Sequence, residues 1–186
     1  MTLLNIQTMK YSTILFSLLF LISSALAQNA WIKKEVGNGI FVNFPNDPKY
    51  STTTEASTYV AKSENCLFMV LIQRNVIPNY PAFIQLEKSE QEKIINTLLD
   101  NVVKEKLAYT NNSTTSASNI KIGNYIGREL SYNAINPATG ERGNRFCKLI
   151  LITDKLYSFE CWYLNDNSSN DSEKNLFLNS LIIQQN

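Results

Sequence analysis

Three short runs of this chain are apolar or aromatic on both parities: Cys66–Gln73, residues 146–152 and residues 157–164. Successive side chains of a strand point to opposite faces, so a run that is apolar throughout belongs to a strand covered on both sides. The chain must therefore build a layered fold around a sheet interior.

The rest of the pattern extends that sheet. Ile40–Phe44 is a compact apolar strand stopped by Pro45 and Pro48, because proline cannot donate to a ladder. Residues 51–62, rich in Thr and Tyr with weak alternation, read as a strand with one wet face, and Ser63-Glu64-Asn65 turns it back into Cys66–Gln73. Residues 120–134, 144–153 and 156–164 read as three more strands, the first two joined through the turn-rich segment 136–143. After Pro78-Asn79-Tyr80-Pro81 the period changes. Ile94, Ile95, Leu98, Leu99, Val102, Val103, Lys106 and Leu107 recur at helical spacing, which predicts one amphipathic helix over residues 89–107. Residues 28–39 read as a polar lead-in closed by Gly37-Asn38-Gly39, and residues 111–119 and 165–171 as polar loops. Asp171 or Ser172 caps a short final helix. The expected fold is of the α/β class: an α/β/α sandwich with a central, mainly antiparallel sheet of about six strands, covered by the long helix on one side and terminal helical segments on the other.

Ahead of this domain stand Lys10, an apolar run over residues 14–22 and Ala25-Leu26-Ala27 before Gln28. A charged start, an apolar segment too short for the roughly 30 Å bilayer core and small residues at the cleavage positions read as a secretory signal, residues 1–27. Its removal leaves a single domain, residues 28–186. No Cys follows the small residues, so the expected product is a soluble monomer, secreted or periplasmic, with no stable membrane anchor. The chain carries 17 Lys and Arg against 16 Asp and Glu, and the leader holds one Lys and no acid, so the mature charge is about zero. Such a balance recruits neither nucleic acid nor an anionic membrane. The chain has no His, which excludes Ser-His-Asp and Cys-His hydrolases and removes the commonest zinc ligand. No catalytic, metal or cofactor constellation is expected.

Several residues still merit weighing. Glu129, Glu141, Asp154 and Glu160 are the acids nearest the strand block, and two carboxylates across a cleft are what a glycosidase needs, but no spacing forces a pair together. Arg142 and Arg145 suit a phosphate or carboxylate; the plainer expectation pairs Arg145 with a neighbouring acid and leaves Arg142 solvated. Tyr157, Phe159 and Tyr163 share one parity with Cys161 and read as core, while Trp162 lies on the other face. Asn111, Asn112, Asn167 and Asn170 each open an N-x-S/T triplet. Cys66, Cys147 and Cys161 show no CxxC spacing, which leaves room for one disulfide and one buried thiol. A three-residue loop at Thr153, Asp154 and Lys155 sets Cys147 opposite Cys161 and makes these two the candidate bridge; a two-residue loop at Asp154-Lys155 sets Cys147 against Trp162 and separates the sulfurs.

Taken in order, Phe41-Val42-Asn43-Phe44-Pro45 with Pro48, the single long helix, Gly123 with Gly127-Arg128-Glu129-Leu130, Arg145 within a strand, Leu156-Tyr157-Ser158-Phe159 and Phe177-Leu178-Asn179-Ser180 resemble the PsbP-like superfamily. That superfamily includes photosystem accessory proteins, Mog-type Ran-binding factors and bacterial envelope proteins of the DcrB kind. The resemblance spans roughly residues 31–183. It implies an α/β/α sandwich and a binding or assembly role, and it carries no functional residue across. The expected function is an exported, non-enzymatic binding or accessory protein of the bacterial cell envelope, its partner an unidentified envelope or extracellular protein. The alternatives are a chaperone or adaptor for another exported protein, and a secreted hydrolase working through carboxylates.

Overall fold

Strands form almost everywhere that β-branched and aromatic residues gather, and they segregate into two antiparallel sheets. The computed structural model describes residues 31–108, 110, 115–135, 140, 142–165 and 167–184; the expected signal, residues 1–27, lies outside them. In chain order the elements are β1 (Ile32–Gly37), β2 (Ile40–Phe44), β3 (Lys49–Thr52), β4 (Ala56–Lys62), β5 (Cys66–Gln73), α1 (Tyr80–Phe83) and α2 (Lys88–Ala108). There follow β6 (Ser116–Ile122), β7 (Tyr125–Ile135), β8 (Arg142–Ile152), β9 (Lys155–Tyr163), α3 (Asn170–Leu178) and β10 (Ile182–Ile183). The larger sheet has seven strands in the order β3-β4-β5-β9-β8-β7-β6, and the smaller has three in the order β1-β2-β10.

This arrangement corrects the expected fold class. Of the described residues 49% are strand and 24% helix, in two sheets, which is not a helix-covered α/β/α sandwich. Three local events make the difference. Residues 51–62 and 120–134, read as single strands, belong to two hairpins, β3–β4 and β6–β7. The second turns at Gly123, whose φ of +58° suits a residue without a Cβ. The lead-in before Gly37 is a strand, β1, paired with β2 through a turn in which Gly39 takes φ +71°. Finally, β2 leaves the main sheet to pair with β1 on one side and with β10 on the other.

Each face of the seven-stranded sheet has its own core. On one face Val42 and Phe44 of β2 and Phe177 of α3 meet Phe68 and Val70 of β5 and Phe159 of β9. On the other, Leu99 of α2 seats among Leu130, Cys147 and Leu149, with Leu98, Val102 and Val103 half-buried around it. The strand parity read from residues 157–163 matches this division: Tyr157, Phe159 and Cys161 are buried in the first core, and Tyr163 packs against it. Among the described residues no helix is long and apolar enough to cross a membrane.

Gly127 permits a close strand approach in this packing. A Cβ there would meet the Leu149 carbonyl oxygen at 2.5 Å and Ile120 Cγ1 at 3.1 Å. Since the first obstacle is backbone of the adjacent β8, relief requires the strands to shift. Gly127→Ala is therefore expected to lower stability by about 1–3 kcal/mol, read as a fall in the urea midpoint. An unchanged midpoint would show that β7 and β8 are not held at this separation.

The β8–β9 hairpin decides the cysteine question. It closes with two residues, Thr153 and Asp154, so that Ile152 faces Lys155. Thr153 adopts φ +56°, which a β-branched residue seldom does, and its hydroxyl donates to the Ile152 carbonyl at 2.6 Å. Neither expected loop forms. The register sets Cys147 opposite Glu160 and Cys161 opposite Phe146, so the two sulfurs lie on opposite faces of the sheet. The expected Cys147–Cys161 bridge is thereby corrected: all three cysteines are unbridged and buried.

Candidate functional site

Alternation along β9 places Leu156, Ser158, Glu160 and Trp162 on the face that carries α2. That helix covers β7 and β8 and leaves the neighbouring surface of β9 and β5 open beyond its last turn. The result is a cleft of about 840 Å³. Its apolar lining comes from Met69 and Leu71 of β5, Ala134 and Ile135 of β7 and Trp162 of β9; its polar lining includes Lys106, Tyr132, Arg145 and Glu160. The cleft opens to solvent: Met69, Leu71 and Trp162 are half-buried, and Ile135 is 45% exposed.

Glu160 forms the floor. It faces Met69 across one strand boundary and Cys147 across the other. One oxygen accepts from Lys106 Nζ at 2.5 Å and from Ser158 Oγ at 3.1 Å; the other accepts from Trp162 Nε1 at 2.9 Å. Burial alone would raise the Glu160 pKa, but the Lys106 charge and the hydrogen bonds from Lys106, Trp162 and Ser158 outweigh it and hold the carboxyl below its ordinary value. Burial would likewise lower Lys106, yet the acidic groups it faces at Cys147 and Glu160, with the Glu160 hydrogen bond, raise it. Burial pushes the Cys147 thiol up to about 12, with the Glu160 charge adding to it. Tyr132 rises to about 12 for the same two reasons. Every one of these groups is thus held in one protonation state around neutral pH. A general acid or base needs the opposite, a pKa near the working pH.

Arg145 stands at the end of the cleft on β8. Its guanidinium lies 3.8 Å from the centre of the Trp162 ring, and its Nη2 donates to the Ile135 carbonyl at 2.7 Å. The expected acidic neighbour is not there: among the described residues no carboxylate pairs with Arg145. Stacked on an aromatic ring and half-buried, it presents its remaining N–H groups as donors.

Of the residues singled out in the sequence, the fold brings Glu160, Arg145 and Trp162 together and disperses the others. Glu129 faces Lys148, whose β9 partner is Phe159, so it lies on the sheet face opposite Glu160 and pairs with Lys148 at 3.7 Å. Asp154 sits in the β8–β9 turn. Glu141 lies outside the described residues, and the three described acids form no pair of carboxylates across a cleft. Arg142 is exposed at the start of β8. Asn111 and Asn112 lie outside the described residues; Asn167 is exposed. Asn170 is 2% exposed and donates to the Asn165 carbonyl at 2.6 Å, which leaves no room for a glycan on the folded chain. Among the described residues no three His, Cys, Asp or Glu side chains gather as metal ligands. Lys106, Tyr132, Met69, Leu71 and Ser158 were missed as site residues. Lys106 had left a signal, a cation at an apolar-stripe position of its helix, which in a folded chain requires a partner. No family model and no curated protein sequence matches this chain.

Proposed function

We propose that the protein is an exported binding or accessory protein, not an enzyme, whose cleft beside the C-terminal turn of α2 receives an apolar segment of a partner protein ending in, or carrying, a carboxylate. One observation carries this reading: Arg145 lies over Trp162 at the end of an open apolar cleft, with no carboxylate among the described residues paired to it. Tryptophan and arginine are the side chains that most often anchor protein interfaces, and a half-covered apolar cleft suits a segment laid along it better than an enclosed small molecule. The satisfied Lys106–Glu160 pair beneath acts as a rigid floor. Export rests on the leader-like residues 1–27, and the PsbP-like resemblance, with its binding and assembly members, supports the same role.

The test uses a short Leu- and Phe-rich peptide with a free C-terminal carboxylate and its amidated twin, titrated by fluorescence anisotropy. A charge-assisted hydrogen bond contributes about 1.5–3 kcal/mol, so the free acid is expected to bind at least about tenfold tighter. Arg145→Ala should abolish that preference. Equal affinities for the wild type, a preference that survives Arg145→Ala, or no saturable binding of either peptide would each overturn the proposal.

A further inference from the structure

Two of the three cysteines share a face and a strand boundary. On the β5–β9 ladder Cys66 faces Tyr163 and Phe68 faces Cys161, which makes Cys66 and Cys161 diagonal neighbours. The Leu164 amide donates to the Asn65 carbonyl at 2.8 Å, so residues 65 and 164 form a hydrogen-bonded pair and the adjoining pairs, 66/163 and 68/161, are of the closer, non-hydrogen-bonded kind. The right-handed twist of paired strands then draws the 66/161 diagonal together. Both side chains are fully buried in one core, against Phe68 and Phe177. Cys147 is on the other side of the sheet, with its sulfur 3.4 Å from Ser158 Oγ.

We infer that Cys66 and Cys161 are the pair that forms a disulfide when the chain folds in an oxidising compartment, tying β5 to β9 across the centre of the sheet and leaving Cys147 as a thiol. The neighbouring Cys66 thiol, then burial, raises the pKa of Cys161. The chemistry is two thiol–disulfide exchanges with a disulfide donor. One cysteine thiolate attacks the donor to form a mixed disulfide and releases one donor thiol. The second cysteine attacks that mixed disulfide, closes the Cys66–Cys161 bond and releases the second. The chain loses two electrons and two protons; the donor disulfide is reduced to two thiols. Because both sulfurs are buried, exchange takes place before the strands close or when they open. This inference does not depend on the cleft.

The test is to unfold the full chain in reductant, refold it with oxidised and reduced glutathione, block thiols under acid quench and map peptides without reduction. One blocked thiol, at Cys147, and a linked peptide joining Cys66 to Cys161 are expected, together with a higher denaturation midpoint than that of the reduced protein. Cys147→Ser should bridge normally, while Cys161→Ser should yield no intramolecular bridge. Three blocked thiols in the refolded wild type, a bridge that includes Cys147, or a persistent glutathione adduct at Cys66 or Cys161 would overturn the assignment.

Discussion

Glu160→Ala is expected to lower stability by about 3 kcal/mol, because it strands Lys106 beneath α2 and removes the acceptor for Ser158 and Trp162. Breaking a buried ion pair usually costs about 3–5 kcal/mol; the low end applies because the Lys106 side chain keeps 21% of its exposure and can turn its ammonium toward water. Lys106→Met should cost less, since Glu160 would retain two donors, and the double variant should cost less than the two single changes together. The pH dependence has a definite sign. The folded state holds Glu160 below its ordinary 4.5, so its stabilisation is complete above that value and disappears as pH falls through the lower folded value. Lys106, raised above its ordinary 10.5, contributes fully below that value and loses its contribution as pH climbs through the higher folded one. Urea midpoints of wild type and Glu160→Gln should therefore stay apart at pH 7 and draw together only as pH falls below 4.5 through the lower folded value. A constant gap across that range would remove the ion pair from the account.

Leu99→Asp should be the most damaging single change on α2. Leu99 is the helix residue with no exposure, seated among Leu130, Cys147 and Leu149, where a carboxylate finds no partner. An unpaired buried charge with a lost side chain costs more than about 4 kcal/mol, a large part of the roughly 5–15 kcal/mol that holds such a domain folded. Leu98→Asp and Val102→Asp should cost less, because these side chains are half-buried and also border an outer groove. Glu92→Ala, on the exposed face, should stay within about 0.5 kcal/mol. Circular-dichroism melts of the four variants check the order, and equal losses for Leu99→Asp and Leu98→Asp would mean that the buried ridge is misplaced.

Helix α2 was legible from its helical period, and the central strands β5, β8 and β9 from short runs that are apolar or aromatic on both parities. The hairpins were not. Residues 120–134 hide a turn at Gly123-Asn124 inside a continuous β-prone stretch, and β1 buries little besides Val36, so its charged residues read as a polar lead-in. Pairing partners are set by tertiary packing, which is why β2 joined β1 and β10 instead of the main sheet. The disulfide expectation failed at one residue: Thr153 accepts a positive φ that sequence rules reserve for Gly, Asn or Asp, and that two-residue turn moved the register by one. At the site, Glu160, Arg145 and Trp162 stood out singly. Their convergence, and the part played by Lys106, needed the helix to cross the strands at a particular place.

The cleft can be watched directly, because the chain has two tryptophans on opposite faces of the sheet. Trp162 lines the cleft, and Trp31 packs edge-on against Phe68 in the other core. In a ¹⁵N-labelled sample titrated with the carboxylate-bearing apolar peptide, the indole N–H resonance of Trp162 should move progressively while that of Trp31 stays in place, and Arg145→Ala should suppress the movement. An unmoved Trp162 resonance at saturating peptide, or movement of Trp31 alone, would contradict the cleft as the binding site.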